Sequence, residues 1–432
     1  MLKLRQKNGE KMLLKEPLFY FKQILEKYPN SYLAEDSEQI IIGIDCAYIS
    51  GDDFALLKRE IENGAKTAQS WFAGLFGVLS FEAVYSFEKI GEKKAGLYEF
   101  PTFCYANAKS YLYYEKQSKL YSYFGEHKYF EFLSDEWREN EAKNKAGNSR
   151  FSYEILSDLE AEKIDFEKAT QRAKEYICSG DAFQIVLSKT LHLRSNLAPL
   201  SFYERLKKAN PSNYMFYFPT PFGVVAGSSP ELVMQIKRGE IFVAPIAGTR
   251  PRGVDANHDE RLAKELLSDE KEIAEHKMLV DLARNDVGKF AKASSVRVKN
   301  LMHIERFESV MHIVSEVYGT LDERRSSFDA LGVIFPAGTL SGSPKIRALQ
   351  IINELETHAR GIYGGGIGFW HFSGDMQMAI LIRSGFFVPS KNGSNDVYIG
   401  AGAGIVYDSV AQNEYAEICN KRKSCLKIFE EL

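Results

Sequence analysis

Along the first 130 residues, apolar and polar positions alternate in short runs such as QIIIGIDCAYIS and SYLYYEKQSKLYSYF, while DDFALLKREIENGAKTA between them carries helical spacing. A mixed α/β segment is predicted there. From Glu136 to Ser152 the run EWRENEAKNKAGNSRFS is poor in apolar residues and rich in charge, which predicts a solvated linker and places a boundary near residue 150. Beyond it, DFEKATQRAKEYICSGD reads as a helix ending on Gly180, and FQIVLSKTLHLRS as a strand. FGVVAGSS, ELVMQIKRGEIFVAPI, QMAILIRSGFFV and DVYIGAGAGIVY read as further strands, and Asn257 to Phe290 and Gln412 to Glu430 as helices. Strands and helices alternate without a regular βαβ period and without an internal repeat, so neither a barrel of repeats nor a doubly wound sheet is expected.

Composition sharpens this only in part. With 432 residues, 45% of them hydrophobic, the chain has ample apolar material for a core. A net charge of -3 leaves no basic surplus to neutralise a phosphate backbone, so nucleic acid is not an expected partner. The absence of a long apolar run and of an apolar signal core predicts no membrane segment and a cytoplasmic protein. Five cysteines (Cys46, Cys104, Cys178, Cys419, Cys425) without CxxC spacing are expected to be reduced and structural.

Two patterns suggest chemistry. Gly364 to Gly368 and Gly400 to Gly404 resemble nucleotide loops superficially, but the second runs into a strand pattern rather than a helix, which excludes a dinucleotide fingerprint. Such glycines let backbone approach a small ligand or form bulges. Glu272 and Glu275, and Glu414 and Glu417, lie three apart on predicted helices, so each pair shares a face. Facing each other, the pairs would suit a hard divalent cation such as Mg²⁺; apart, they are ordinary solvated charges. Arg250, Arg252 and His312 have equally plain readings as surface charges and a core histidine.

In order, DAFQIVLS, SSPE, PIAGTRPRG, EIAEHKMLVDLARND, VMHIVS, PAGTLSGSPK, RGIYGGGIG, ILIRSG, GAGAGIVYDS and EYAEICNK resemble the chorismate-utilising enzyme family over roughly residues 160 to 430. The resemblance implies an α/β fold in which two large, mostly antiparallel sheets pack as a sandwich with outer helices. It also implies a chorismate-binding portion at 151–432 and an N-terminal, tryptophan-regulatory portion at 1–150.

The same resemblance assigns roles. Isochorismate and salicylate synthases carry a water-activating lysine where this chain has Gln184, and an amide cannot act as that base. Aminodeoxychorismate synthases carry a nucleophilic lysine where it has Ala247. Direct attack by ammonia is then implied, giving anthranilate and pyruvate in tryptophan biosynthesis. An aminodeoxychorismate-forming enzyme, and behind it an isochorismate or salicylate synthase or a non-catalytic ligand-sensing relative, stay as alternatives. Glu275 and Glu417, supported by Glu272 and Glu414, would hold Mg²⁺; Glu231 would be the general acid; His312 would orient substrate or handle a proton. Arg383 with the amides of Gly402, Ala403 and Gly404 would bind a carboxylate, and Gly248, Thr249, Thr339 and Tyr363 would complete the pocket. A glutamine amidotransferase subunit is the implied ammonia source. Asp36 in YLAED, with Asn213, Tyr214 and Met215 in NPSNYMFYFP, is the implied tryptophan site.

Overall fold

The computed structural model describes residues 2–3, 15–67, 70–135, 151–307 and 310–430. The predicted linker at 136–150 and residues 308–309 of the ESVMHIVSEV run lie outside them. The elements run β1 (Leu2–Lys3), α1 (Pro17–Lys27), β2 (Tyr32–Glu35), β3 (Gln39–Gly51), α2 (Phe54–Thr67), β4 (Gly74–Leu79), β5 (Phe103–Glu115), β6 (Leu120–Gly125) and α3 (His127–Asp135). Next come β7 (Tyr153–Ile155), α4 (Leu159–Cys178), β8 (Gln184–Ser195), α5 (Pro199–Ala209), β9 (Tyr214–Thr220), β10 (Gly223–Ser229), β11 (Leu232–Lys237), β12 (Glu240–Val243) and β13 (Ile246–Pro251). Then follow α6 (Ala256–Ser268), α7 (Glu270–Gly288), β14 (Arg297–Arg306), β15 (Val310–Thr320), α8 (Ser327–Ile334), β16 (Gly342–Ser343) and α9 (Lys345–Leu355). The last are β17 (Gly366–His371), β18 (Met376–Ile380), β19 (Ser384–Pro389), β20 (Asn395–Ile405) and α10 (Ala411–Leu426).

All named strand pairs are antiparallel, and they form two wings of one hydrogen-bonded network. The first runs β1–β6–β5–β3–β2–β9–β10–β19–β20–β8, with β7 and β16 on β8. The second runs β5–β4–β17–β18–β11–β12–β15, with β13 and β14 also on β15. Strand β5 serves both wings: Phe103–Asn107 pair with β4, and Ser110–Glu115 pair with β6.

Burial explains the layering. Side chains of both wings, among them Tyr32, Phe76, Phe216, Phe218, Ile367, Phe369 and Phe386, share one core between the sheets. The opposite face of the first wing is covered by α1 and α5 through Phe21, Ile24, Phe202 and Leu206. On the second wing, Val280 and Val287 of α7 and Phe328 and Leu331 of α8 do the same. The expected sandwich of two antiparallel sheets with helices outside is therefore met, with the sheets joined through β5. β2 pairs with β9 and β4 with β17, so strands from before and after residue 150 are joined in one network.

Several elements differ from their sequence patterns, each for a local reason. The predicted helix over 257–290 is two helices, because Asp269 leaves helical geometry (ψ 105°) and its side chain caps α7 by accepting the N–H groups of Lys271 and Glu272. ELVMQIKRGEIFVAPI is a hairpin, since Arg238 and Gly239 both take positive φ. QMAILIRSGFFV breaks into β18 and β19 at Arg383, a non-glycine residue at φ 50°. The final helix ends at Leu426 and tightens into a 3₁₀ turn over Lys427–Phe429. Helix α4 starts earlier than its apolar pattern suggests, at the Asp158 cap, and Gly180 follows it at φ 86° as expected.

Candidate active site

Glu231 lies in the two-residue joint between β10 and β11. Its carbonyl accepts the Ile380 N–H at 2.9 Å, and the Arg383 carbonyl accepts the Ser228 N–H at 3.1 Å, so SSPE and ILIRSG are clamped side by side. Thr339 Oγ1 donates to Glu231 Oε1 at 2.8 Å. Burial pushes the Glu231 carboxyl up to about 7, against the Thr339 hydrogen bond and the positive charges of Lys421 and Arg383. Burial also lowers the guanidinium of Arg383.

His312 is placed by a bulge. In the β13–β15 ladder Ala247 faces Ile313 and Thr249 faces His312, which leaves Gly248 as the extra residue at φ 69°. The Gly248 carbonyl lies 2.8 Å from His312 Nδ1, and Thr249 Oγ1 lies 3.1 Å from the same atom. The carbonyl can only accept, so Nδ1 carries the proton and Nε2 keeps its lone pair. Burial, with Arg383 nearby, lowers the ring's pKa and keeps it neutral near pH 7.

Gln184 at the start of β8 donates through Nε2 to Glu275 Oε1 at 2.7 Å. A Cβ on Gly404 would come within 2.6 Å of that amide nitrogen, and one on Gly400 or Gly402 would run into Tyr363. The second glycine cluster thus makes room for two site side chains. β20 pairs with β19 only up to Tyr398, so among the described residues its sole ladder across Gly400–Ile405 is with β8 and its other edge pairs with no strand. Open-edge backbone of this kind suits a carboxylate. The first cluster is different: Gly366 and Gly368 lie in β17 between β4 and β18, where a Cβ on Gly368 would sit 1.9 Å from the Gln377 carbonyl oxygen. It serves backbone packing.

The four glutamates lie on α7 and α10. A Cβ on Gly248 would stand 3.1 Å from Glu272 Oε2, so PIAGT abuts this carboxylate. Burial, then the charge of Glu275, raises the pKa of Glu272. Burial, then Glu417, raises that of Glu414, against a Ser409 hydrogen bond. Lys271 of α7 acts electrostatically on Glu414 of α10, which ties the two helices. Among the described residues no three His, Cys, Asp or Glu side chains already form a metal-holding group. The donors are nevertheless all oxygen, and like charge within each pair is incompletely compensated. That fits Mg²⁺, which keeps several waters and takes one or two carboxylates in place of an all-protein cage.

The structure gives further roles to Lys421, which the sequence reading did not single out, and to Arg250 and Arg252. Lys421 lies 2.7 Å from Glu417, donates to the Gly402 carbonyl at 2.8 Å and acts on Glu231. Its signal was its place one turn after Glu417 in EYAEICNK. Arg250 bonds Glu265 at 2.9 Å and Asp269 at 3.0 Å and lies 3.8 Å from Glu272, so it pins PIAGTRPRG to the start of α7. Arg252 holds Asp259 at 2.7 Å.

Of the predicted regulatory residues, Asp36, Tyr214 and Met215 line one cavity with Ala34, Phe76 and Phe369, while Asn213 precedes β9 and is not among its lining. Asp36 accepts the N–H groups of Glu38 and Gln39 at 2.8 and 2.9 Å and the Gln39 side chain at 3.1 Å, so it shapes the β2–β3 turn. All five cysteines are free. No described helix is long and apolar enough to cross a membrane.

Known proteins resemble the chain in sequence and in fold. The family model described as chorismate binding enzyme matches residues 26–427. An anthranilate synthase component 1 of Acetivibrio thermocellus is 48% identical over 306 residues, covering 70% of this chain and 60% of that protein. One of Methanothermobacter thermautotrophicus is 36% identical over 455 residues, covering 98% of this chain and 94% of that one. The crystal structure of anthranilate synthase component I from Streptococcus pneumoniae TIGR4 superposes with a TM-score of 0.76 at 32% identity, covering 98% of this chain and 95% of that chain. With the family model matched across nearly the whole length and the fold shared end to end, the chain belongs to the chorismate binding enzyme family.

Proposed function

We propose that the chain is the large subunit of an anthranilate synthase, converting chorismate and ammonia to anthranilate and pyruvate. The observation that carries this reading is Gln184: its amide is committed to Glu275 at 2.7 Å, where the water-adding relatives have a titratable base. Ala247, a methyl at 8% exposure in β13, offers no nucleophile for a covalent route. Ammonia is the nucleophile left. The relatives' name, component 1, supports a second subunit, and a glutamine amidotransferase would supply ammonia, which is scarce in neutral form near pH 7.

Glu275 and Glu417, backed by Glu272 and Glu414, would hold Mg²⁺. When bound, the ion acts as a Lewis acid on the ring carboxylate and orients the substrate. Arg383 and the open β20 edge at Gly402–Gly404 bind the enolpyruvyl carboxylate. Ammonia adds beside the carboxylate-bearing carbon while the hydroxyl leaves. Glu231, with a pKa of about 7, gives that hydroxyl its proton. His312, neutral with its lone pair on Nε2, orients the ring or takes the proton released as pyruvate departs and the ring aromatises. The cavity at Tyr214 and Met215 is the reading for tryptophan feedback; no change in rate at millimolar tryptophan would rule it out.

The test is to incubate the chain with chorismate, an ammonium salt at alkaline pH and Mg²⁺ and follow anthranilate fluorescence. Anthranilate is the expected product. A para-aminated product would transfer the chain to the aminodeoxychorismate branch, and no product would defeat the reading.

A further inference from the structure

Behind Glu231 lies a cavity of about 40 Å³ that the mechanism above does not use. Glu231 and Thr339 line it together with apolar Val233, Val243, Leu279 and Ala283 and with the Asp286 and Lys345 pair. It has room for water, which needs roughly 10–15 Å³ of such space. Leu282, Asp286 and Lys345 also line a much larger outer cleft of about 1080 Å³ along α7, to which Glu275 contributes as well. The two spaces therefore meet at the Asp286–Lys345 pair.

That pair is unusual. The side chains are 4% and 8% exposed and lie 2.7 Å apart. Lys345 also donates to the Ile334 carbonyl, and Lys289 reaches Asp286 at 3.0 Å from the solvent side. Burial lowers the pKa of Lys345 against the pull of Asp286 and Glu88, with Lys289 adding to the lowering. A buried ammonium with a lowered pKa yields a proton more readily than a surface lysine. On the other side, Glu231 faces Thr339, Lys421 and Arg383.

We propose that the Asp286–Lys345 pair and the cavity behind Glu231 form a side entrance for protons, through which Glu231 is reprotonated from the outer cleft after each turnover. This rests on Glu231 acting as the acid in the proposed reaction. In the amination step the carbon–nitrogen bond forms as the carbon–oxygen bond breaks, the Glu231 proton leaves on oxygen as water, and the nitrogen releases one proton on the substrate side. The Glu231 carboxylate then takes a proton from a water in the cavity, that water takes one from the Lys345 ammonium, and the Lys345 amine regains one from solvent in the outer cleft. Protons balance over the cycle. Lys345 and Asp286 touch no reacting atom and are positioning residues for proton return.

The experiment compares single-turnover and steady-state rates of anthranilate formation, with ammonia and Mg²⁺ saturating. Below about pH 7, where Glu231 starts mostly protonated, Lys345→Met is expected to keep the single-turnover rate while its steady-state kcat falls roughly tenfold and recovers in part as imidazole is added at constant pH. Ala283→Leu fills the cavity and leaves both charges in place; it is expected to show the same split without imidazole rescue, and it carries the test if Lys345→Met does not fold. Equal losses in both regimes, or no loss in either, would overturn the proposal. If the unaltered chain forms no anthranilate in a single turnover, the failure belongs to the proposed reaction itself.

Discussion

Gln184 Nε2 and Glu275 Oε1 are joined across 2.7 Å, linking the first residue of β8 to the middle of α7. A neutral donor here fixes the carboxylate in direction. Gln184→Glu would set two carboxylates at that distance, where both cannot be charged, so one is forced to keep a proton. The folded-state pKa of the pair would then lie above its unfolded value. Stability is retained at low pH and lost as pH rises through the raised pKa. The unfolding free energy of Gln184→Glu is expected to fall increasingly below the parent's between about pH 5 and 8, by on the order of 1–3 kcal/mol at the upper end. A pH-independent gap would show that side chains at positions 184 and 275 are not held against each other in solution.

Glu231 gives a pH signature of its own. With its carboxyl pushed up to about 7, the acid form is depleted as pH rises past neutrality, so kcat/KM for chorismate at fixed free ammonia is expected to fall on the alkaline side. The Thr339 bond lowers this pKa, so Thr339→Val is expected to move the alkaline limb to higher pH. Stability runs the same way. The folded pKa is above the unfolded value of about 4.5, so the native state loses stability as pH rises from there to about 7, and Glu231→Gln, which cannot ionise, is expected to gain on the parent across that window. A profile unaltered by Thr339→Val would refute the assignment of Glu231 as the acid.

The motifs announced these residues without announcing their geometry. SSPE, PIAGT, VMHIVS and GAGAG are short and local, and each lands on one strand end or bulge, which is why they were legible. What was not legible depends on partners far along the chain. The break at Arg383 follows from its backbone clamping to Ser228, 155 positions earlier (383 - 228), and nothing in QMAILIRSGFFV marks it. Lys345 sits within PAGTLSGSPK, yet its burial against Asp286 depends on α7 packing over it. The α6–α7 break was readable in principle, since Asp269 with Glu272 three residues on is a helix-start signal, but the apolar spacing on either side masked it.

Gly248 is the position where backbone freedom decides the site. At φ 69°, with a Cβ that would come within 2.8 Å of Leu266 Cδ1 and 3.1 Å of Glu272 Oε2, any side chain strains the bulge and displaces a candidate metal ligand. Gly248→Ala is expected to cost about 1–3 kcal/mol in denaturant unfolding. It should also reduce turnover more than a hundredfold, since His312 Nδ1 loses the carbonyl that fixes its tautomer. Full activity in a destabilised Gly248→Ala chain would separate the bulge from the chemistry.

The metal reading can be tested without turnover. Like charge helps hold the Glu272 and Glu414 pKa values above their ordinary range, so a divalent cation between the helices relieves repulsion and binds the native state selectively. Added Mg²⁺ is expected to raise the thermal midpoint, the stabilisation growing with the logarithm of its concentration to about 2.7 kcal/mol at a hundred times the dissociation constant. Protons compete for the same oxygens, so the shift should shrink as pH falls through the raised pKa values of Glu272 and Glu414. Glu275→Gln and Glu417→Gln should each reduce it, and chelation of the metal should reverse it and abolish anthranilate formation. A midpoint indifferent to Mg²⁺ in the parent chain, or equally responsive in both variants, would remove these glutamates from the metal site and return them to the solvated helix charges that their spacing alone allowed.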